Sequence, residues 1–159
     1  TYAHLYGLRS TGLRFFTVYG PWGRPDMAPL MFSRAVLAGR PIDVFNHGKM
    51  RRDFTFVDDI VAGVLGALDN PPEGEVPHRV FNLGNHTPVE LERFIAVIEE
   101  AAGQPAQKVY KPMQPGAMIE TMADTQCAHE AFGFEPATSI EAGLPQVVAW
   151  CRDYFGENA

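Results

Sequence analysis

The stretch Leu13-Arg14-Phe15-Phe16-Thr17-Val18-Tyr19 is a compact run of β-branched and aromatic residues held between Gly12 and Gly20. Short and glycine-bounded, it reads as a buried strand rather than a helix. The residues after Tyr19 cannot continue that strand. Pro21 and Pro25 lack amide donors, and Gly20 and Gly23 admit backbone angles closed to other residues. The chain must therefore leave the sheet in a shaped loop just past a strand end, which is where α/β folds receive their ligands. Arg24 offers a planar fork of donors suited to a carboxylate or phosphate, and Thr17 adds a hydroxyl at the strand end. The same residues also fit a plain structural turn with Arg24 paired to Asp26 on the surface. On this stretch alone both readings stay open.

A chain of 159 residues can bury a core as one domain, and 46% hydrophobic with 20% charged residues is not the composition of a disordered segment. It is short for a complete cofactor enzyme. A formal charge of -6 argues against a nucleic-acid partner. The absence of a long apolar run or a leading signal segment leaves no membrane partner expected and the cytoplasm as the default. Charge is uneven: residues 1–60 carry Arg9, Arg14, Arg24, Arg34, Arg40, Lys49, Arg51 and Arg52 against five aspartates, while the remainder is acidic. A basic first third in an acidic protein suits the reception of an anion, or a solvated face paired internally. Cys127 and Cys151 lack metal or CxxC spacing and are expected to be reduced, buried thiols. The five histidines show no ligand spacing, so no metal site is expected.

Along the chain, Tyr2, Leu5 and Leu8 form one apolar face that ends at Gly7 and Gly12, the tail of a helix. Asp26 is placed to cap a helix from Met27 to Ala38, stopped by Gly39, with Pro29 in its first turn. Ile42–Phe45 and Arg52–Phe56 flank the polar turn Asn46-His47-Gly48-Lys49, which predicts a hairpin. Asp58 and Asp59 stand at the entrance of a helical run from Ile60 to Leu68, as caps and as complements to the helix dipole. Residues 69–77 read as a surface loop and Arg79–Gly84 as a strand. A helix from Val89 to Ala102 is predicted to start in a capping box of Thr87, Pro88 and Glu90. A short strand near Val109-Tyr110, an irregular segment over 112–118, and helices over Thr125–Phe132 and Ile140–Phe155 complete the chain, the last entered through Ser139. Trp150, Tyr154 and Phe155 read as core or interface aromatics.

No glycine-rich phosphate-cradling triplet follows a strand, no tyrosine has a lysine four residues later, and there is no G-x-S-x-G.

Three runs together carry a resemblance: Gly12 to Met27 (GLRFFTVYGPWGRPDM), Gly48 to Ile60 (GKMRRDFTFVDDI) and Tyr110 to Gly116 (YKPMQPG). They resemble the C-terminal half of the extended short-chain dehydrogenase/reductase sugar-nucleotide epimerases, and among these the UDP-glucuronate 4-epimerase group. The resemblance implies an α/β, Rossmann-like fold of which this chain supplies the substrate-binding portion, 1–159, with the N-terminal Rossmann half absent. It implies an NAD-dependent inversion at sugar C4 through a 4-keto intermediate. The catalytic tyrosine and lysine and most of the NAD site would lie outside these residues, leaving the chain alone inactive. Thr17 and Arg24 match positions set to hold the glucuronate carboxylate, a role that suits an always-charged fork. Val18 and Tyr19 match positions near the nicotinamide. Arg52 matches the arginine on the substrate diphosphate, Ile42, Val44 and Phe45 the strand whose backbone faces uracil, and Gln114 the loop returning to the nucleotide. Ala117 and Met122 depart from the usual Asp and Tyr. A nucleotide-sugar dehydratase or decarboxylase, or a non-catalytic nucleotide-sugar-binding module, are the alternatives. The resemblance further implies a homodimer for the whole protein, and the apolar surface left by an absent half predicts self-association of this chain.

Overall fold

The computed structural model describes residues 1–156. In chain order it begins with α1 (Tyr2–Tyr6), β1 (Ser10–Phe15), β2 (Thr17–Tyr19), α2 (Ala28–Leu37) and β3 (Pro41–Val44). A single tight turn over Phe45–Gly48 then leads to β4 (Arg51–Arg52), β5 (Phe54–Phe56), α3 (Val57–Asp69) and β6 (His78–Leu83). The rest comprises β7 (Val89–Glu90), α4 (Leu91–Ala102), β8 (Gln107–Tyr110), α5 (Gln126–Phe132) and α6 (Ile140–Phe155).

The glycine-bounded apolar run is two strands, because the backbone changes partner at Phe16. Phe16 N donates to Leu83 O, whereas Thr17 N donates to Asp53 O. β1 accordingly runs parallel to β6 and β2 parallel to β5. The predicted hairpin does not form. β3 pairs in parallel with β8, β4 pairs antiparallel with β7, and β5 goes to β2. Asn46 and His47 both take left-handed angles, with φ of 51° and 50°, and turn the chain away from a return path. Phe54, Thr55 and Phe56 are all buried, so β5 is covered on both faces, as a parallel strand is and a hairpin arm is not.

Two helix starts also differ from expectation. Val89 and Glu90 are extended and paired with Arg52 and Arg51, so α4 begins at Leu91, whose amide donates to Met50 O. The capping box of Thr87, Pro88 and Glu90 is not used. Asp26 does not cap α2 either: Met27 is the N-cap residue, and the Asp26 carboxylate is taken by Arg24. Asp58 and Asp59 do lie in the first turn of α3, where they suit the dipole, but Asp59 Oδ2 accepts from Thr138 N at 3.0 Å rather than capping its own helix. Ser139 caps α6 as expected, accepting from Ala142 N at 3.3 Å.

α2, α4 and α6 cover one side of the strands, burying Tyr19, Phe54 and Phe94 among them; the last two rings stack with centroids 4.0 Å apart. A second cluster of Ile60, Phe81, Leu83, Ala128 and Phe134 fills the space under α3 and α5. α6 sits so close that a β-carbon at Gly143 would collide with the Tyr19 hydroxyl and the Phe56 ring. Tyr2, Leu5, Tyr6 and Leu8 near α1, and Val61, Leu65 and Leu68 on α3, stay exposed. No helix among the described residues is long and apolar enough to cross a membrane.

The two cysteines divide. Cys151 is fully buried, and burial pushes its thiol up to about 11, whereas Cys127 is exposed rather than buried as expected. Iodoacetamide should therefore label Cys127 in the folded protein and Cys151 only after unfolding, which peptide mass spectrometry checks.

Candidate functional site

The loop after β2 is pinned at its first residue. Gly20 has φ 153°, and a β-carbon there would collide with Val57 at the start of α3. Inside the loop Gly23 N donates to Gly20 O and Met27 N to Arg24 O, so Gly20–Met27 forms two linked turns. These turns lift Arg24 to the surface. Its Nε and Nη2 donate to the two carboxylate oxygens of Asp26, a bidentate pair with both side chains well exposed. The shared hydrogen bonds hold Asp26 below and Arg24 above their ordinary pKa ranges. Arg24 thus already grips a carboxylate, its neighbour's.

Asp26 also lines a cavity of about 400 Å³ between α2 and β3, together with Met31, Phe32, Ile42, Asp43 and Phe45. The cavity joins two parts of the expected site, the arginine loop and β3. The side chains of Ile42 and Val44 point into the core, at 3% and 0% exposure, so what β3 offers outward is backbone. Val44 O is already taken by Lys111 N at 2.9 Å. Phe45 is half-buried at the end of the strand.

Arg52 lies elsewhere along the chain path, against the segment 118–123. Its Nη1 donates to Arg51 O and Ile119 O, and its Nη2 to Met118 O at 2.5 Å. Partial burial lowers its pKa from the ordinary guanidinium value. Among the described residues no carboxylate lies within ion-pair reach of it, unlike Arg51, which pairs with Glu120 at 3.1 Å. A half-buried cation whose partners are neutral carbonyls retains charge for an anion. Gln114 is exposed on the loop before this segment, its carbonyl accepting from Ala117 N. Thr17 is half-buried at the start of β2.

The sequence profile of the NAD dependent epimerase/dehydratase family matches residues 1–84. The chain belongs to this family. It is 42% identical over 171 residues to UDP-glucuronate 4-epimerase 1 of Arabidopsis thaliana, covering 99% of this chain and 40% of that protein. Among solved structures, UDP-glucuronic acid 4-epimerase from Bacillus cereus, in complex with UDP-glucuronic acid and NAD, superposes with a TM-score of 0.87 at 30% identity, over 96% of this chain and 48% of that one. UDP-glucose 4-epimerase from Thermotoga maritima, with UDP-glucose, gives 0.87 at 31%, over 97% and 49%. The chain spans about half the length of the relatives it matches. Over that half its α/β fold is the epimerase fold.

Membership of the epimerase family brings in NAD, and the described residues do not by themselves fit a dinucleotide. Tyr19, expected near the nicotinamide, is 2% exposed among Phe54, Phe56 and Phe94. Its hydroxyl donates to Ser139 O, and burial drives its pKa well above the ordinary phenol value. The ring is part of the core, so only its backbone can meet a ligand. Val18 is half-buried and packs on the cluster of Ile60, Phe81 and Leu83. Among the described residues no glycine-rich triplet follows a strand to cradle a dinucleotide's pyrophosphate.

Asp53, beside Arg52, is a residue of the site that sequence reasoning missed. It is fully buried, and its carboxylate accepts from Asn85 N, Thr55 Oγ1, His86 N and Ala123 N. Its backbone amide donates to Thr121 Oγ1 and its carbonyl accepts from Thr17 N. Asp53 therefore ties Thr17, the turn after β6 and segment 121–123 to one point. The signal was present in the sequence: an aspartate that leads directly into Phe54-Thr55-Phe56, a run apolar enough to be buried.

Proposed function

We propose that this chain is the nucleotide-sugar-holding portion of an NAD-dependent 4-epimerase that acts on UDP-glucuronate, with the reacting tyrosine and most of the NAD site supplied by residues outside this sequence. The observation that carries the reading is the cavity between α2 and β3, which sets Ile42 and Phe45 against Asp26, the carboxylate partner of Arg24. In this reading the β3 backbone and Phe45 take the uracil, Arg52 takes the diphosphate with Gln114 alongside, and Val18 borders the cofactor. Arg24 exchanges Asp26 for the carboxylate of the sugar, and Thr17 adds a hydroxyl to the same group. A guanidinium fork already satisfied in bidentate fashion by one carboxylate needs no new geometry to accept another.

The exchange gives a test. Calorimetric titration of Arg24→Ala should show UDP-glucuronate binding weakened at least about tenfold while UDP-glucose and UDP are nearly unchanged, since one charge-assisted contact is lost and the others stay. Equal losses for both sugars would remove the carboxylate role from Arg24 and, with it, the assignment to the glucuronate branch.

A further inference from the structure

The loop that carries Arg24 is held by two backbone turns of its own and, through Trp22, by a helix distant in sequence. Its middle residue, Trp22, has φ 63°, a region that bulky residues rarely occupy, and leaves 72% of its surface exposed. Such a conformation persists only where the surroundings enforce it. Here the enforcing surface is the last two turns of α6. The Trp22 indole lies 5.2 Å from that of Trp150, tilted by 56°, and 4.9 Å from the Tyr154 ring, edge-on at 70°. Trp150 and Tyr154 stack on each other at 5.1 Å and 15°, and Phe155 meets both edge-on. Arg34 of α2, the helix after the loop, lies over the Phe155 ring at 4.1 Å. These are the offset and edge-to-face geometries that aromatic pairs favour, and each adds attraction beyond its buried area.

The platform is anchored in the core more deeply than the loop. On the inner face of α6 Leu144, Val147, Val148 and Cys151 are all fully buried, so the outward Trp150 and Tyr154 stand on a helix locked into the core. Gly20 fixes the loop against Val57 at one end, and Trp22 fixes it against α6 two residues before Arg24. Without the second anchor, the loop beyond Gly20 would keep its two backbone turns, Gly23 N to Gly20 O and Met27 N to Arg24 O, but only the exposed pair of Arg24 and Asp26 would restrain the arginine side chain, and exposed ion pairs hold side chains weakly.

We propose that Trp150 and Tyr154 are positioning residues for Arg24: through Trp22 they fix the loop beside the cavity that Asp26 lines, and so set the preference for a sugar nucleotide that bears a carboxylate. This inference rests on the reading of Arg24 as a carboxylate clamp.

Trp22 and Trp150 are the only tryptophans of the chain, so Trp150→Ala leaves Trp22 as the sole indole reporter. In Trp150→Ala and Tyr154→Ala, amide hydrogen exchange over residues 22–27 should rise several-fold above the wild type, and in Trp150→Ala the fluorescence anisotropy of Trp22 should fall below that of Trp150→Phe. UDP-glucuronate binding should weaken about tenfold toward that of UDP-glucose, with UDP binding held. Trp150→Phe and Tyr154→Phe, which keep an aromatic ring, should restore both and guard against a variant that fails to fold. Exchange over the loop unchanged in the alanine variants would overturn the proposal, as would parallel losses for UDP and UDP-glucuronate. A wild-type chain that binds both sugars equally instead overturns the clamp reading and the preference built on it. Loop exchange then still decides whether α6 positions the loop.

Discussion

Replacing Asp53 with asparagine should lower the unfolding free energy by about 3 kcal/mol, and replacing it with alanine by about 5 kcal/mol or more. The asymmetry follows from which donors surround the carboxylate. Oδ2 accepts two backbone amides, His86 N at 3.1 Å and Ala123 N at 2.8 Å, while Oδ1 accepts Asn85 N at 2.7 Å and the Thr55 hydroxyl at 3.2 Å. An asparagine amide does least harm with its nitrogen in the Oδ1 position, where the Thr55 hydroxyl can turn to accept, but Asn85 N is then left facing another donor. Alanine leaves all three backbone amides without their acceptor in a site closed to water, at roughly 1 to 3 kcal/mol each. Urea titration should show the midpoint falling with little change in slope, because the surface exposed on unfolding is nearly the same. Both variants within about 1 kcal/mol of the wild type would mean that Asp53 is not the tie its contacts describe.

Arg52→Ala should weaken UDP itself by about 1.5 to 3 kcal/mol, and every UDP-sugar equally, because a charge-assisted contact to the diphosphate does not depend on the sugar. That uniform loss separates Arg52 from Arg24, whose removal should be felt only when a carboxylate is present. The substitution also frees the carbonyls of Met118 and Ile119, so cleavage by a protease in segment 111–123 should accelerate. Rising salt should weaken the wild type more than the variant. Faster cleavage with unchanged UDP affinity would assign Arg52 to holding that segment and remove it from the nucleotide site.

Local signals were legible where the chain makes a decision within a few residues. Ser139 caps α6, α4 ends at Ala102, and of the loop expected over 69–77 all but Asp69, the last residue of α3, stays outside regular structure, each for reasons that neighbouring residues contain. What escaped were choices between partners. Thr87, Pro88 and Glu90 spell a helix start, yet Val89 and Glu90 gain more by pairing with β4, and Met50 O serves the first helix amide in place of a side chain. The polar turn after β3 suggests a hairpin, yet both flanking strands have better-covered partners elsewhere. The site divided in the same way. Arg24 and Asp26 were legible as a local pair and Arg52 as an available cation, while the aromatic anchor of the loop lies more than a hundred residues downstream of Trp22.

The ladder partners have a consequence for how the chain is made. Thr17 meets Phe54, Arg51 meets Glu90, Ser10 meets His78 and Pro41 meets Gln107, so among the described strands none pairs with its neighbour in sequence. A ribosome must deliver β5 before β2 has a partner and β8 before β3 does, and the closure entropy of each loop comes due before any ladder bond forms. Such a polypeptide is expected to acquire its sheets late and slowly, leaving the apolar residues of β1 and β3, such as Leu13, Ile42 and Val44, open to other chains until their partners arrive.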